Sequence, residues 1–450
     1  MTAALVLVGS TLLMLLCWRR WGPVHLLTVS LAFWALIGLL LVAEPIELEE
    51  PSMRTAVAIL LGLAAMTVVP LLFDRTPRAG AGREADAADD PPVRSAVRVG
   101  RLATATVVVF VVVAWGTWQY RQAVSAVLGV PFSEVDAKLV RWAELYGDLA
   151  VPAPVGVAQA MAPLLGALGV VGGLCHRWWW YLLVPLAIAA TMQSPSRTAT
   201  LTVAVTSLFF LVLLPRATGL VRRHRRRVLS PGVRGTVLAT AVGAAALAYF
   251  GSVGQQLDKG AVPTGLVVAD WLPDALVQPV LYQVGSISAF TVAVDQSTGD
   301  AGPYGAWGRS VYAVGKVLQF LGAPVPEPQP FAGYVDMPLP FNTYTAFGDA
   351  YFDFGLAGVL VVFLLTGLVV HLLGTWPRPG HPASLWGLSM LAAVMLATPI
   401  HMRLLDIDVL APGVAGWLLV AWVLRPEPAL PAAPSRAPAA TATVEQRVLR

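Results

Sequence analysis

The stretch FNTYTAFGDAYFDFGLAG, Phe341–Gly358, ends a long polar region and runs straight into a hydrophobic span. Asn342, Tyr344, Asp349, Tyr351 and Asp353 crowd the start of that span. Ionisable groups are costly beside hydrocarbon, and they mark function there more often than anchoring. The stretch therefore reads as the doorway of a membrane enzyme, with a catalytic or substrate-binding face beside it.

Composition agrees. The 450 residues are 57% hydrophobic and only 12% charged, with a mean hydropathy of +0.69, which excludes one soluble domain with a polar surface. The formal charge of +4 sits in short loops between apolar runs, where basic residues set topology, and nucleic acid is set aside as a partner. Cys17 and Cys175 fall at ends of apolar segments expected on the cytoplasmic side, where a disulfide is not expected, and neither spacing suits a metal site.

Apolar windows long enough to cross the bilayer run over 3–18, 24–43, 54–73, 102–120, 149–175, 178–195, 198–215, 236–254, 355–374, 384–402 and 407–424. The expected fold class is all-α: a polytopic integral membrane protein of about eleven transmembrane helices with one large extracytoplasmic loop. Its divisions are helices 1–3 in 1–73, a disordered cytoplasmic loop at 74–101, and helices 4–8 in 102–254. The large loop follows at 255–354, then helices 9–11 in 355–424 and a disordered cytoplasmic tail at 425–450.

Lys and Arg in short loops favour the cytoplasm. With Arg19 and Arg20 inside, the loops alternate: EPIELEEP at 44–51 falls outside, the arginine-rich 74–101 inside, and RRHRRR at 222–227 inside. The N-terminus is then outside and the C-terminus cytoplasmic, in a multi-pass plasma-membrane protein; the excess of arginine over the three lysines Lys138, Lys259 and Lys316, with abundant Ala, Val and Gly, suggests a high-GC bacterial genome. Within the large loop, amphipathic segments at 277–295 and 310–322 read as helices. The first is re-entrant or interfacial in this scheme, because a full crossing would invert every later span.

Three external arginines stand out. Arg197 precedes the span near Ala199, Arg309 lies in WGRSVY, and Arg403 follows His401 in TPIHMRLLDID. Snorkelling or a salt bridge is the plain alternative for each, with Asp406 and Asp408 at hand for Arg403. Arginines converging on one cleft would suit a diphosphate, whose oxygens accept bidentate guanidinium bonds.

Four pieces of this chain are similar to the Wzy family of O-antigen and capsular oligosaccharide repeat-unit polymerases: PSRTATLTVAV at 195–205, LYQVGSISAF at 281–290, AWGRSVYAVGKVLQFLG at 306–322 and NTYTAFGDAYFDFGLAG at 342–358. The last resembles the family's Asn-x-Tyr-Thr…Tyr-x-Asp-x-Gly-x-x-Gly pattern and is the most specific. The first 190 residues match in hydropathy alone.

The resemblance implies a helical bundle similar to the GT-C class of glycosyltransferases, and glycosyl transfer on the outer face of the membrane. A polyprenyl-diphosphate-linked oligosaccharide is the donor, a sugar hydroxyl of a second lipid-linked unit attacks, and polyprenyl diphosphate leaves. No metal or other cofactor is implied. The implied partners are the lipid-linked oligosaccharide, membrane lipid, a chain-length regulator and a flippase. Arg197, Arg309 and Arg403 become ligands of the diphosphate. Asp353, Asp349 and His401 become candidates for the base, and Asn342, Tyr344, Tyr351 and Tyr282 contacts for sugar. For Asp353 a cap on the helix beginning near Phe354 competes with chemistry.

A ligase moving finished glycan to another acceptor would carry the same features. A polyprenyl-phosphate-sugar glycosyltransferase would use acidic residues of the first external loop, where Glu44, Glu47, Glu49 and Glu50 lie. A lipid-linked oligosaccharide flippase would show two similar halves and mid-membrane charge.

Overall fold

The computed structural model describes residues 1–23, 25–73, 99–146, 149, 151–193, 197–218, 265–296, 310–325, 335–338, 340–341, 343–375, 381–402 and 404–424. The described chain is helical apart from one two-residue ladder, β1 (Val335–Asp336) against β2 (Pro340–Phe341). Seven of the described helical segments are long and apolar enough to cross a membrane. They are α1 (Thr2–Trp21), α2 (Leu26–Ala43), α3 (Met53–Phe73), α4 (Val99–Leu128), α6 with α7 (Ala153–Ala160 and Ala162–Cys175), α10 (Asp274–Gln296) and α12 (Ala346–Thr375). Shorter apolar helices include α8 (Leu183–Thr191), α9 (Arg197–Thr218), α13 (Pro382–Leu396) and α14 (Ile407–Val423). Two small helices, α5 (Ala137–Tyr146) and α11 (Tyr312–Phe320), complete the set discussed below.

Several expected boundaries move. The helix placed at 102 begins at Val99, and the window at 149–175 is broken at Met161, where Pro163 opens the second piece. The window at 178–195 starts as a 3-10 turn through the tryptophans and becomes α-helical only at Leu183. The span placed at 355–374 begins nine residues earlier, at Ala346. Its opening turns carry two aspartates and three aromatic rings, and the aspartates hide a helix from any count of apolar residues. The window 236–254 and the disordered readings of 74–98 and 425–450 lie outside the described residues.

Helix α10, expected as an interfacial or re-entrant segment, has the length and composition of a span. Three of its polar residues are answered by protein: the Ser286 hydroxyl donates to the Tyr282 carbonyl, Ser288 to the Glu49 carbonyl and Thr291 to the Thr55 hydroxyl. The Ser288 and Thr291 bonds meet the link between α2 and α3 and the first turn of α3. Beside them, the Glu47 N–H donates to the Val267 carbonyl and the Ala269 N–H to the Pro45 carbonyl. The acidic link and the segment leading into α10 are thus hydrogen-bonded to each other.

In lipid, helices associate through close packing and interhelical bonds rather than through the hydrophobic effect, which favours small residues at the contact. That is the role of the glycines between α3 and α12. Gly62 lies against the Phe347 ring and Val359, and Gly367 lies against the Met66 carbonyl; a Cβ on either would collide. The Phe73 and His371 rings follow at 6.1 Å. The positions ascend together, so α3 and α12 run parallel. Helices α9 and α13 run antiparallel, with Thr206 donating to Met390 Sδ and Phe210 edge-on to Trp386 at 6.0 Å.

Candidate functional site: a histidine between two aspartates

The site is built on the first eight residues of α12. Thr345 caps them, its hydroxyl accepting the Gly348 N–H at 3.1 Å. The helix then breaks at Phe354 (φ −143°, ψ 15°) and Gly355 (φ 66°, ψ −159°). A left-handed φ is open to glycine at little cost, whereas other L-residues there pay about 1–2 kcal/mol. Beyond the break the chain turns back closely enough that a Cβ on Gly358 would lie 2.5 Å from the Ala350 carbonyl oxygen. The result is a short half-helix, Ala346–Asp353, joined to a long apolar one.

Asp349 and Asp353 are four residues apart and share one side of this half-helix. Each carboxylate holds a different segment. Asp349, 2% exposed, accepts the Met402 N–H at 2.9 Å and pairs with His401 Nδ1 at 2.8 Å, both on Oδ2. Asp353, 3% exposed, accepts the N–H and the hydroxyl of Ser310 at 2.8 and 2.7 Å. One helical turn therefore gathers the chain after α13 and the chain before α11.

A third fastening sets the height of His401. The Thr398 carbonyl accepts the Ala346 N–H at 2.7 Å, and its hydroxyl accepts the indole N–H of Trp34 at 2.9 Å. Trp34 also packs edge-on against Phe347 at 5.0 Å. The turn 398–402 is thus tied to α2, to the cap of α12 and to Asp349.

The chemistry follows from the imidazole's two nitrogens. A carboxylate only accepts, so the bond from Asp349 assigns the proton to Nδ1 and leaves Nε2 as the variable atom. Nε2 lies 3.8 Å from Asp406 Oδ2, within ion-pair reach but too far for a direct hydrogen bond. The His401 side chain is 30% exposed while that of Asp349 is 3% exposed. This is the arrangement of an oriented imidazole: a buried carboxylate holds Nδ1, and the ring as a whole is partly exposed.

The aromatic candidates sit deeper. Tyr344 and Tyr351 are buried, with Phe290 and Phe352, in a cluster of edge-on rings whose centroids are 5.4–5.9 Å apart. Tyr282, on α10, is partly buried with its ring 5.8 Å from that of Phe341. Asp353 is the last residue of the half-helix rather than a cap on a helix that starts after it, because Gly355 breaks the backbone between the two. Arg197 begins α9; its side chain, and all of Asn342, Arg309 and Arg403, lie outside the described residues.

Sequence does not mark Ser310, and it offers Asp406 as a partner for Arg403 rather than for His401. Among the described residues no His, Cys, Asp or Glu side chains are grouped so as to hold a metal ion. A shallow crevice that His401 does not line sits between the acidic link and α10; Glu44, Glu49, Glu50, Val284 and Ser288 help line it. No protein family, curated protein or solved structure matches the chain.

Proposed function

We propose that this membrane protein is a glycosyltransferase acting on polyprenyl-diphosphate-linked oligosaccharide, with His401 as the base. The observation that carries the reading is the 2.8 Å pairing of His401 Nδ1 with the buried Asp349, on an imidazole whose side chain is partly exposed. The motif resemblance at 342–358 supplies the substrate class, and this chemistry would be that of a repeat-unit polymerase on the outer face of a bacterial plasma membrane.

In the reaction, the acceptor sugar hydroxyl gives its proton to His401 Nε2 as its oxygen bonds to the donor's anomeric carbon. The bond from that carbon to the diphosphate oxygen breaks, and polyprenyl diphosphate leaves with the electron pair. Asp349 stabilises the imidazolium that forms, and general-base help of this kind is worth about 10²–10⁴ in rate. Charge on the leaving diphosphate calls for arginine, which stays protonated throughout. Arg309 directly precedes Ser310 and Arg403 directly follows Met402, the residues whose N–H groups Asp353 and Asp349 hold. Arg197 is the third ligand in this reading.

A strain lacking the gene, with its surface glycan labelled, is expected to accumulate single repeat units on lipid carrier. Glycan of normal length would overturn the proposal, and long chains retained on carrier would assign the chemistry to a ligase. One observation favours a second reading, a polyprenyl-phosphate-sugar glycosyltransferase: three glutamates line the crevice at the acidic link. Loss of transfer in Glu49→Gln with full activity in His401→Gln would select it.

A further inference from the structure

Helix α4 is too long for the membrane it crosses. Its 30 residues extend about 45 Å at 1.5 Å each, against a hydrocarbon core of about 30 Å. Arg101 and Arg121 bracket one hydrocarbon thickness along it, at about 30 Å for that separation. Between them Val107, Val108, Val111, Trp115 and Trp118 are exposed, the surface of a helix that faces lipid. The edge of the hydrocarbon therefore falls near Tyr120 and Arg121, and tryptophans gather at such edges.

Helix α5 is fixed to that level. Tyr120 Oη donates to Glu144 Oε1 at 2.9 Å, and Val140 and Ala143 are buried with Tyr120 and Val124 in a small separate core. With that face used, Leu139 and Trp142 remain 53% and 52% exposed. Two large apolar side chains in water would be an unrelieved cost, but the lipid-facing surface of α4 runs up to the same level. A short amphipathic helix at this depth matches the interfacial class, which lies in the bilayer plane with its apolar side at the headgroup–acyl boundary.

The helix also stands on the face that carries His401. Arg121 Nε donates to Gln193 Oε1 at 3.0 Å, just ahead of α9. Helix α9 runs antiparallel to α13, so its beginning lies at the end where α13 leads into the turn of His401.

We propose that α5 is a membrane-interface helix, with Leu139 and Trp142 entering the lipid boundary on the face of the His401 site. The full chain is tested in vesicles of phosphatidylcholine and phosphatidylglycerol, in a Cys17→Ala, Cys175→Ala background. Nitroxide labels are placed at Leu139→Cys, Trp142→Cys, the exposed turn residue Glu134→Cys and the mid-span Val111→Cys. Collision with oxygen, which partitions into lipid, is compared with collision with a water-soluble nickel chelate. Labels at 139 and 142 are expected to show an oxygen-to-nickel ratio shifted from that at 134 towards that at 111. A ratio equal to that at 134 would overturn the inference by placing the helix in water. Shielding from both reagents would overturn it in favour of a protein contact.

Discussion

His401 Nδ1 lies 2.8 Å from Oδ2 of Asp349, and the same oxygen accepts the N–H of Met402. The carboxylate thus grips both the ring and the backbone beside it. Orientation of the imidazole is set by the main chain as well as by the side chain.

Asp349→Asn keeps the shape and removes the charge. The amide oxygen takes the place of Oδ2, where it can still accept from both His401 and Met402, so the variant keeps the tautomer and removes the charge that stabilises the imidazolium. Transfer is expected to fall by about 10²–10⁴, similarly to His401→Gln. Both variants should reach the membrane in normal amount, with surface glycan length as the readout. Activity within a fewfold of the parent in both would remove this pair from the chemistry.

Ser310→Ala removes one of the two bonds that Asp353 accepts from Ser310, leaving the N–H in place. Hydrogen bonds to charged groups are worth about 1.5–3 kcal/mol, and a loss of that order is expected. Asp353→Ala should cost more, because it strands a buried N–H as well. Thermal unfolding in detergent measures both, and protease cleavage near α11 should rise in step.

Gly355→Ala introduces a side chain at φ 66° and should destabilise by about 1–2 kcal/mol. Gly358→Ala meets the Ala350 carbonyl oxygen at 2.5 Å, a contact that main chain cannot relieve without shifting the half-helix. It should therefore reduce activity more than Gly355→Ala for a similar change in melting temperature. Equal ratios of the two losses would show that the break has no bearing on the site.

Trp34→Phe retains the ring against Phe347 and deletes the donor to Thr398. A loss of about 1 kcal/mol is expected from one neutral hydrogen bond. Since Thr398 also sets the turn carrying His401, the variant should lower turnover while leaving donor affinity unchanged, which a concentration series separates.

Hydropathy revealed the helical, membrane-spanning character of this chain because apolar length is a property of local composition. It could not reveal the half-helix at 346–353, whose aspartates and aromatic rings look like a loop until they are wound at four-residue spacing. Nor could it reveal the break, since glycines at 355 and 358 serve equally well as packing residues in a straight helix. Asp349 and His401 were named from sequence, but their pairing depends on Thr398, Ala346 and Trp34 meeting across three helices. Ser310 passed unnoticed because a serine in a polar loop has no pattern of its own; only a buried carboxylate opposite gives it meaning.

The parallel contact of α3 with α12 has a consequence for biogenesis. Phe73 leaves the ribosome long before Ala346, and at about 5–20 residues per second the interval is on the order of tens of seconds. Throughout it, the flank of α3 around Gly62 and Met66 has no permanent neighbour. Late helices must slot into a vacancy held open among early ones, so a nascent chain stopped before Ala346 would be exposed to quality-control proteolysis at that seam.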